Sequence, residues 1–181
     1  MQLQEVAKII FSFPEKAIGV PPYAARWITA GSLTPDNRIE GLKDDAAILP
    51  CDDLLINYQD IIIKRINPQY VNYIVLNETK VYASSNLIIV RVNKKCVPQY
   101  IAYLLEKGIN KLRQEISGAV MPSVSRKSIT EFDIGQPPPH KKQLAIGELW
   151  RLQKEKIKLT AELNTKETLA LQYKLDKVSR R

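Results

Sequence analysis

The last quarter of the chain constrains the fold most, because it predicts one helix longer than a small domain is wide. A run of three prolines ends at Pro139, and no proline follows it. Lys, Glu, Leu, Gln and Ala, which are strong helix formers, dominate the remaining residues. A helix from Lys141 to Val178 would be roughly 57 Å long at 1.5 Å per residue. We therefore expect much of this helix to contact something other than its own body.

Two apolar stripes run along the predicted helix at spacings of three and four residues, which are typical of a coiled-coil seam. The first stripe predicts a dimer interface formed by Leu149, Leu152, Leu159, Leu163 and Tyr173. The second contains Ile157, Ala161, Leu171, Leu175 and Val178. Two stripes indicate contact with more than one neighbour. The alternative that the helix folds back onto its own body remains open for its first two turns.

The residues ahead of this helix predict short strands separated by turns. Candidate strands rich in Ile, Val and Tyr are Arg26–Thr29, Leu54–Ile56, Ile61–Arg65, Tyr73–Leu76, Lys80–Ala83 and Asn86–Arg91. The connections between residues 48 and 92 are too short for crossover helices, so we predict a mainly antiparallel or mixed sheet. A short turn and strand is expected at Ile129–Ile134.

Two further helices are predicted from apolar spacing. Leu3, Val6 and Ile10 share one helical face, which predicts a helix within residues 2–11. A second helix begins at Val97-Pro98, with proline in its first turn. The whole reads as an α+β fold: a globular domain over residues 1–136, with a mixed or antiparallel sheet and helices, followed by a long helical region over residues 137–181 that carries the predicted dimer interface.

Charge is unevenly distributed along the chain, which carries a formal net charge of +8. Residues 61–127 contain 11 basic and 3 acidic residues, whereas residues 1–60 contain 5 basic and 9 acidic ones. Such segregation suits a polyanion, nucleic acid first, because each neutralised phosphate releases counterions. An ordinary solvated lysine-rich surface explains the charge equally well.

Within the basic segment, cations and hydroxyl groups are concentrated in two places. One is the end of the Ile-rich strand near residue 64, and the other is a small, hydroxyl-rich loop ending near residue 127. Hydroxyls bind phosphates, and arginine can pair with guanine edges. The predicted DNA contacts are Lys64, Arg65, Ser117, Ser123, Ser125, Arg126 and Lys127.

Catalytic, metal and cofactor sites are not predicted. The chain has neither a phosphate-binding Gly-rich loop nor a Gly-x-Gly-x-x-Gly sequence, and His140 is its single histidine. One alternative is a metal-dependent nuclease, because Pro35-Asp36 and Glu78-Thr79-Lys80 imitate a Mg²⁺-binding arrangement. We favour a surface turn at these residues. No apolar run is long enough to span a bilayer, and two distant cysteines, Cys51 and Cys96, favour a reducing, cytoplasmic compartment.

Several motifs in a fixed order give the chain a family resemblance. They are Trp27-Ile28 followed by Gly31-Ser32-Leu33, then Ala83-Ser84-Ser85-Asn86-Leu87, then Val97, Pro98, Tyr100 and Leu105, then Ser117-Gly118 with Pro122, and Gln143 opening the long helix. With these motifs the chain resembles the specificity subunit of Type I restriction-modification systems, over most of its length. Lys142 departs from the acidic residue that commonly precedes the glutamine.

The resemblance implies a non-catalytic protein that reads double-stranded DNA through a target-recognition domain. It implies methyltransferase subunits as partners, with restriction or translocase subunits beyond them. Such a subunit has two recognition domains and two helical regions, whereas this chain has one of each, so the resemblance implies half a subunit. A homodimer through the helix would restore both domains and read an interrupted palindrome. A further alternative is an interaction module that dimerises but binds no DNA.

Overall fold

Two β-sheets and a layer of helices form the part of the chain that the computed structural model describes, which is residues 1–12, 25–45, 52–75, 80–113 and 122–179. The strands are β1 (Ala7–Phe11), β2 (Ala25–Ile28), β3 (Lys43–Asp45), β4 (Ile61–Lys64), β5 (Val71–Tyr73), β6 (Val81–Ala83) and β7 (Leu87–Val92). The α-helices are α1 (Pro98–Lys107), α2 (Ile109–Arg113), α3 (Arg126–Thr130) and α4 (His140–Ser179). Short 3₁₀ helices lie at Leu3–Glu5, Ala30–Ser32 and Asp52–Leu54.

A four-stranded antiparallel sheet, in the order β1-β7-β4-β5, forms the centre of the fold. Its middle strands are buried on both faces. Ile61 and Ile63 pack in the core beneath the helices, whereas Ile62 packs in a second core against the other sheet. Double burial explains why β4 and β7 have unbroken apolar sequences rather than an alternating pattern.

The second sheet has three strands in the order β3-β2-β6 and is mixed. β2 pairs antiparallel with β3 and parallel with β6. Trp27 of β2 is 1% exposed, and its ring centroid lies 5.4 Å from that of Tyr82. The prediction of antiparallel and mixed pairing is confirmed, with the strands divided between two layers.

Helix α1 begins with Pro98 in its first turn, as predicted. Its residues Ile101 and Leu105 are fully buried in the core beneath the helices, on the side of the four-stranded sheet that faces them. Gly108 ends α1, and a Cβ at this position would lie 2.5 Å from the ring of Phe132. The absence of a side chain therefore allows the segment after α3 to pack closely against the junction of α1 and α2.

The predicted long helix is confirmed as α4, whose 40 residues span about 60 Å. One stripe of α4 is buried, at Gln143, Gly147, Trp150 and Lys154. The Gln143 side chain accepts a hydrogen bond from the Val97 N–H at 2.9 Å and donates one to the Pro138 carbonyl at 2.8 Å. These contacts attach α4 to α1 over about three turns, one turn more than the sequence alone suggested.

The remainder of α4, residues 155–179, is called the arm here. Its apolar side chains are largely exposed: Leu159 is 55% exposed, Leu163 56% and Tyr173 68%. Leu149 and Leu152, which belong to the same predicted seam, are 67% and 48% exposed. At 3.6 residues per turn, this stripe lies on the side of α4 opposite Trp150 and Lys154. The predicted dimer seam therefore faces away from the body, which is residues 1–136.

Three local predictions from the sequence are wrong. Residues 2–11 form a 3₁₀ turn and strand β1, because residues 7–11 pair along their whole length with β7. Residues 54–56 end a 3₁₀ helix and make a single bridge from Leu55 to Tyr82, not a strand. The segment predicted as turn and strand at 129–134 begins inside α3, which runs as far as Thr130, and in place of a strand it makes a single bridge from Asp133 to Gln2.

Candidate nucleic-acid interface

Backbone pairing places the two predicted DNA-contact segments side by side. Ile66, just after β4, pairs with Ser123 in an isolated antiparallel bridge. The Val124 N–H donates a hydrogen bond to the Arg65 carbonyl at 2.8 Å. The residues that follow β4 and those that precede α3 therefore form one continuous surface, although they are nearly sixty positions apart in the sequence.

Lys64 lies at the end of β4 and is oriented by an aromatic ring. Its Nζ is 3.1 Å from the Tyr70 hydroxyl oxygen and 5.0 Å from the centroid of that ring. The Tyr70 hydroxyl in turn donates to the Leu33 carbonyl at 2.7 Å. Lys64 is half-buried, so its ammonium group is held near the sheet rather than extended freely into solvent.

Arg65 and Ser123 are both half-buried. The Arg65 N–H donates to the Asn86 carbonyl at 2.7 Å, which joins this segment to the turn before β7. Ser123 is placed beside Ile66 by the backbone bridge. Both residues thus lie at the same end of the four-stranded sheet as Lys64.

Ser125 has a structural role as the N-cap of α3. Its hydroxyl accepts a hydrogen bond from the Ser128 N–H at 2.9 Å and donates to the Ser128 Oγ at 3.0 Å. Capping of this kind satisfies an amide that the first helical turn leaves without a backbone partner. Ser125 therefore orients the two cations that follow it.

Arg126 and Lys127 occupy the first turn of α3, and both are exposed. The Arg126 guanidinium carbon lies 4.5 Å from the ring centroid of Phe11, at the end of β1. A guanidinium stacked on an aromatic face keeps its N–H donors directed outward around the ring edge. The pair thus presents positive charge next to the end of the sheet.

Arg113 is a fifth basic residue at this end, and it was not predicted from the sequence. It is the last residue of α2, and its Nη2 donates to Asn67 Oδ1 at 3.2 Å. Its place immediately before the hydroxyl-rich loop is a signal that could have identified it. We define the basic cluster as Lys64, Arg65, Arg113, Arg126 and Lys127. Ser117, the remaining predicted contact, lies outside the described residues.

The structure describes only some of the residues on which the metal-dependent nuclease alternative depends. The Asp36 carboxylate is buried and accepts hydrogen bonds from Thr34 Oγ1 and from Arg38 Nε, the latter at 2.6 Å. Burial alone would raise the pKa of Asp36, but the hydrogen bonds from Thr34 and Arg38 outweigh it and lower that pKa below the usual carboxyl value. Asp36 therefore stabilises its own turn. Glu78 lies outside the described residues, and within the described ranges no group of three acidic, His or Cys residues could hold a metal ion.

The arrangement of two sheets, a helical layer and a protruding α4 is shared with known proteins. Residues 2–168 match the family of Type I restriction modification DNA specificity domains. The chain belongs to this family. No curated protein matches the chain at a significant level.

Three solved structures share the fold of this DNA specificity domain. One is a chain of a type I R-M system, from work on its complex assembly and conformational transition, with a TM-score of 0.69 and 17% identity. The second is the HsdS subunit of Thermoanaerobacter tengcongensis, with a TM-score of 0.66 and 16% identity. The third is the Type-I restriction-modification system S subunit of M. genitalium, with a TM-score of 0.59 and 12% identity.

These structures are about twice as long as the specificity domain described here. The matches cover 98%, 92% and 90% of this chain but only 48%, 44% and 40% of the respective structures.

The family match confirms the family expected from the sequence motifs, and the shared structures confirm the α+β fold with a long C-terminal helix. Among the described residues, no helix is both long and apolar enough to cross a membrane.

Proposed function

We propose that this chain is a non-catalytic DNA-recognition subunit of a Type I restriction-modification system, which binds double-stranded DNA through the basic cluster. The observation that carries the proposal is the convergence of five cations at one end of the central sheet in a member of a DNA specificity family. Lys64 and Arg126 lie against aromatic rings, and Arg113 is held by the Asn67 side chain. Binding of a phosphate would therefore cost these three side chains less conformational entropy. The division into a recognition domain (1–136) and a helical spacer (137–181) follows from this role.

We further propose that two chains pair through the seam of Leu149, Leu152, Leu159, Leu163 and Tyr173. The support is that this apolar stripe is exposed on the side of α4 opposite the body, and that the chain matches less than half of each related structure. A two-fold dimer would carry two basic clusters separated by paired helices, and would read a bipartite site. Methyltransferase subunits, and restriction or translocase subunits with them, are the proposed protein partners of this dimer.

Replacement of Arg126 and Lys127 by glutamine together is expected to weaken duplex binding at least tenfold at 0.1 M salt. Removing two phosphate contacts per chain, which is four in the proposed dimer, should also reduce the slope of log K against log salt by roughly 4. Fluorescence anisotropy with a labelled duplex, measured between 0.05 and about 0.3 M salt, gives both quantities.

The matched control is the exposed pair Lys94 and Lys95, which follows β7 at the opposite end of the sheet. Its double glutamine variant removes the same charge and should retain the wild-type salt slope. Equal losses in the two double variants would mean that binding depends only on net charge. Absence of any salt-dependent binding by the wild-type chain would favour the alternative of an interaction module that binds no DNA.

Leu159→Glu combined with Leu163→Glu is expected to convert the protein from a dimer to a monomer. Two carboxylates facing a partner helix would be desolvated without cations, at a cost of several kcal/mol. Sedimentation equilibrium should change from twice the chain mass of 20.6 kDa to that mass itself. Thr165→Glu with Thr168→Glu adds the same charge elsewhere on the exposed arm and should leave the dimer intact. A wild-type chain that sediments as a monomer would contradict the dimer.

A further inference from the structure

Lys154 is the last buried residue of α4, with 4% of its surface exposed. Its Nζ lies 2.6 Å from Glu106 Oε2 of α1 and donates to the Pro35 carbonyl at 2.8 Å. The same Nζ is 5.5 Å from the ring centroid of Trp150, one turn earlier on α4. A lysine is rarely buried unless it is fully paired, and these contacts supply the pairing.

The Lys154 ammonium joins three separate parts of the body. Glu106 Oε2 also accepts a hydrogen bond from the Val71 N–H at 3.2 Å, so the ion pair reaches the edge strand β5. Pro35 belongs to the turn that Asp36 and Arg38 stabilise. One charged group therefore connects α4 to α1, to the edge of the central sheet and to a structured turn.

The position of this connection matters because α4 leaves the body within about two turns of it. Glu155, Lys158 and Glu162 are still half-buried, whereas Ile157 is already 41% exposed and every residue from Leu163 to Ser179 is exposed. The 25 residues of the arm extend about 37 Å beyond Lys154. A tilt of about 10° at this point would move the far end of the arm by about 6 Å, which is close to the rise of two base pairs.

We propose that Lys154 is a positioning residue that fixes the direction in which the arm leaves the body, and thereby the separation of the two basic clusters in the dimer. The second clause rests on the dimer and the DNA recognition proposed above. The first concerns a single chain and is independent of both. In this proposal Lys154 acts through the direction of α4 and not through a contact with DNA.

Lys154→Met keeps an unbranched side chain of similar length and removes the charge. Genetically encoded spin labels at Lys94 on the body and Lys177 on the arm report the intrachain distance by electron-electron resonance, with labelled chains diluted into unlabelled ones. The wild type is expected to give one narrow distance distribution, and Lys154→Met one at least twice as wide. The double variant Glu106→Gln/Lys154→Met, which leaves no unpaired carboxylate, should show the same broadening if the single variant folds poorly.

Selection from a pool of random duplexes provides the second measurement. Wild-type protein is expected to select two half-sites at one spacing, whereas Lys154→Met should select the same half-sites at several spacings. Ile89→Val, in the core between the two sheets, loses stability without touching α4 and should keep the single spacing. A loss of affinity with unchanged spacing would mark Lys154 as merely structural.

Two outcomes separate this inference from the proposed function. Distance distributions that are identical in the wild type and in both Lys154 variants would overturn the role of Lys154, whatever the DNA selection shows. A wild-type protein that selects no duplex sequence would overturn DNA recognition, while the distance distributions would still decide whether Lys154 directs the arm.

Discussion

Replacement of Arg91 by methionine is expected to lower the free energy of unfolding by about 3–5 kcal/mol, because it leaves a buried carboxylate without its cation. Asp60 is 1% exposed, and it accepts Arg91 Nε at Oδ1 (2.9 Å) and Arg91 Nη2 at Oδ2 (2.8 Å). The hydrogen bond to Asp60 raises the pKa of Arg91 above its usual value. Urea denaturation at neutral pH measures the loss.

Two variants test the reason for that loss. Adding Asp60→Asn to Arg91→Met removes the stranded charge and should recover a large part of the stability. Arg26→Met breaks an ion pair with Asp44 whose side chains are 51% and 61% exposed, and it should cost less than about 1 kcal/mol. A similar cost for Arg91→Met and Arg26→Met would show that the buried pair contributes no more than a surface one.

Trp150→Ala is expected to lower the free energy of unfolding by about 3–5 kcal/mol and to detach α4 from the body. Trp150 is 4% exposed and belongs to the core beneath the helices, next to the central sheet. Its buried indole nitrogen has no hydrogen-bond partner among the described residues, so truncation strands no acceptor and the loss comes from packing. Denaturation gives the energy, and hydrogen exchange should show the amides of residues 141–154 losing protection.

Gln153→Ala is the matched control for Trp150→Ala, since Gln153 is exposed in the same turn and its loss should change stability by less than about 0.5 kcal/mol. Unchanged exchange protection in Trp150→Ala would mean that Gln143 and Lys154 hold α4 without the indole. The arm, residues 155–179, should exchange at the same rate in both variants when the protein is monomeric.

Local sequence signals predicted the long helix, the start of α1 and two strands of the central sheet. The long helix was predicted within one residue at each end, because strong helix formers fill it and prolines precede it. Pro98 marked the start of α1, and the Ile-rich runs marked β4 and β7. The signals that identify these elements lie within a few residues of each one, although β4 and β7 are also stabilised by strand pairing and by burial on both faces.

Long-range pairing was not predictable from the sequence. The parallel pair of β2 and β6 joins Ile28 to Ala83, and neither segment carries a signal for the other. Leu3, Val6 and Ile10 satisfy a helical spacing equally well, but they divide between the two cores. The period of so short a segment cannot distinguish a helix from a 3₁₀ turn and strand, and pairing with β7 decides the outcome.

The candidate interface was predictable by residue type but not by geometry. Basic residues after β4 and before α3 were identified from charge, yet their adjacency depends on the bridge between Ile66 and Ser123. Ser125 was predicted as a DNA contact, and the structure adds that its hydroxyl caps α3. Arg113 belongs to the basic cluster because it donates a hydrogen bond to Asn67. This bond joins residues 46 positions apart, so local sequence does not indicate it.

Gly147 gives the joint between α4 and the body a single register. A Cβ there would lie 2.7 Å from Gln99 Cβ and 3.1 Å from the Tyr100 nitrogen, so α4 cannot slide along α1 to place another residue at this contact. Residues can therefore be inserted or deleted without disturbing the joint only beyond Lys154. Each added helical turn would lengthen the arm by about 5.4 Å, so in the proposed dimer such insertions would change the separation of the two basic clusters in discrete steps while the body stayed the same.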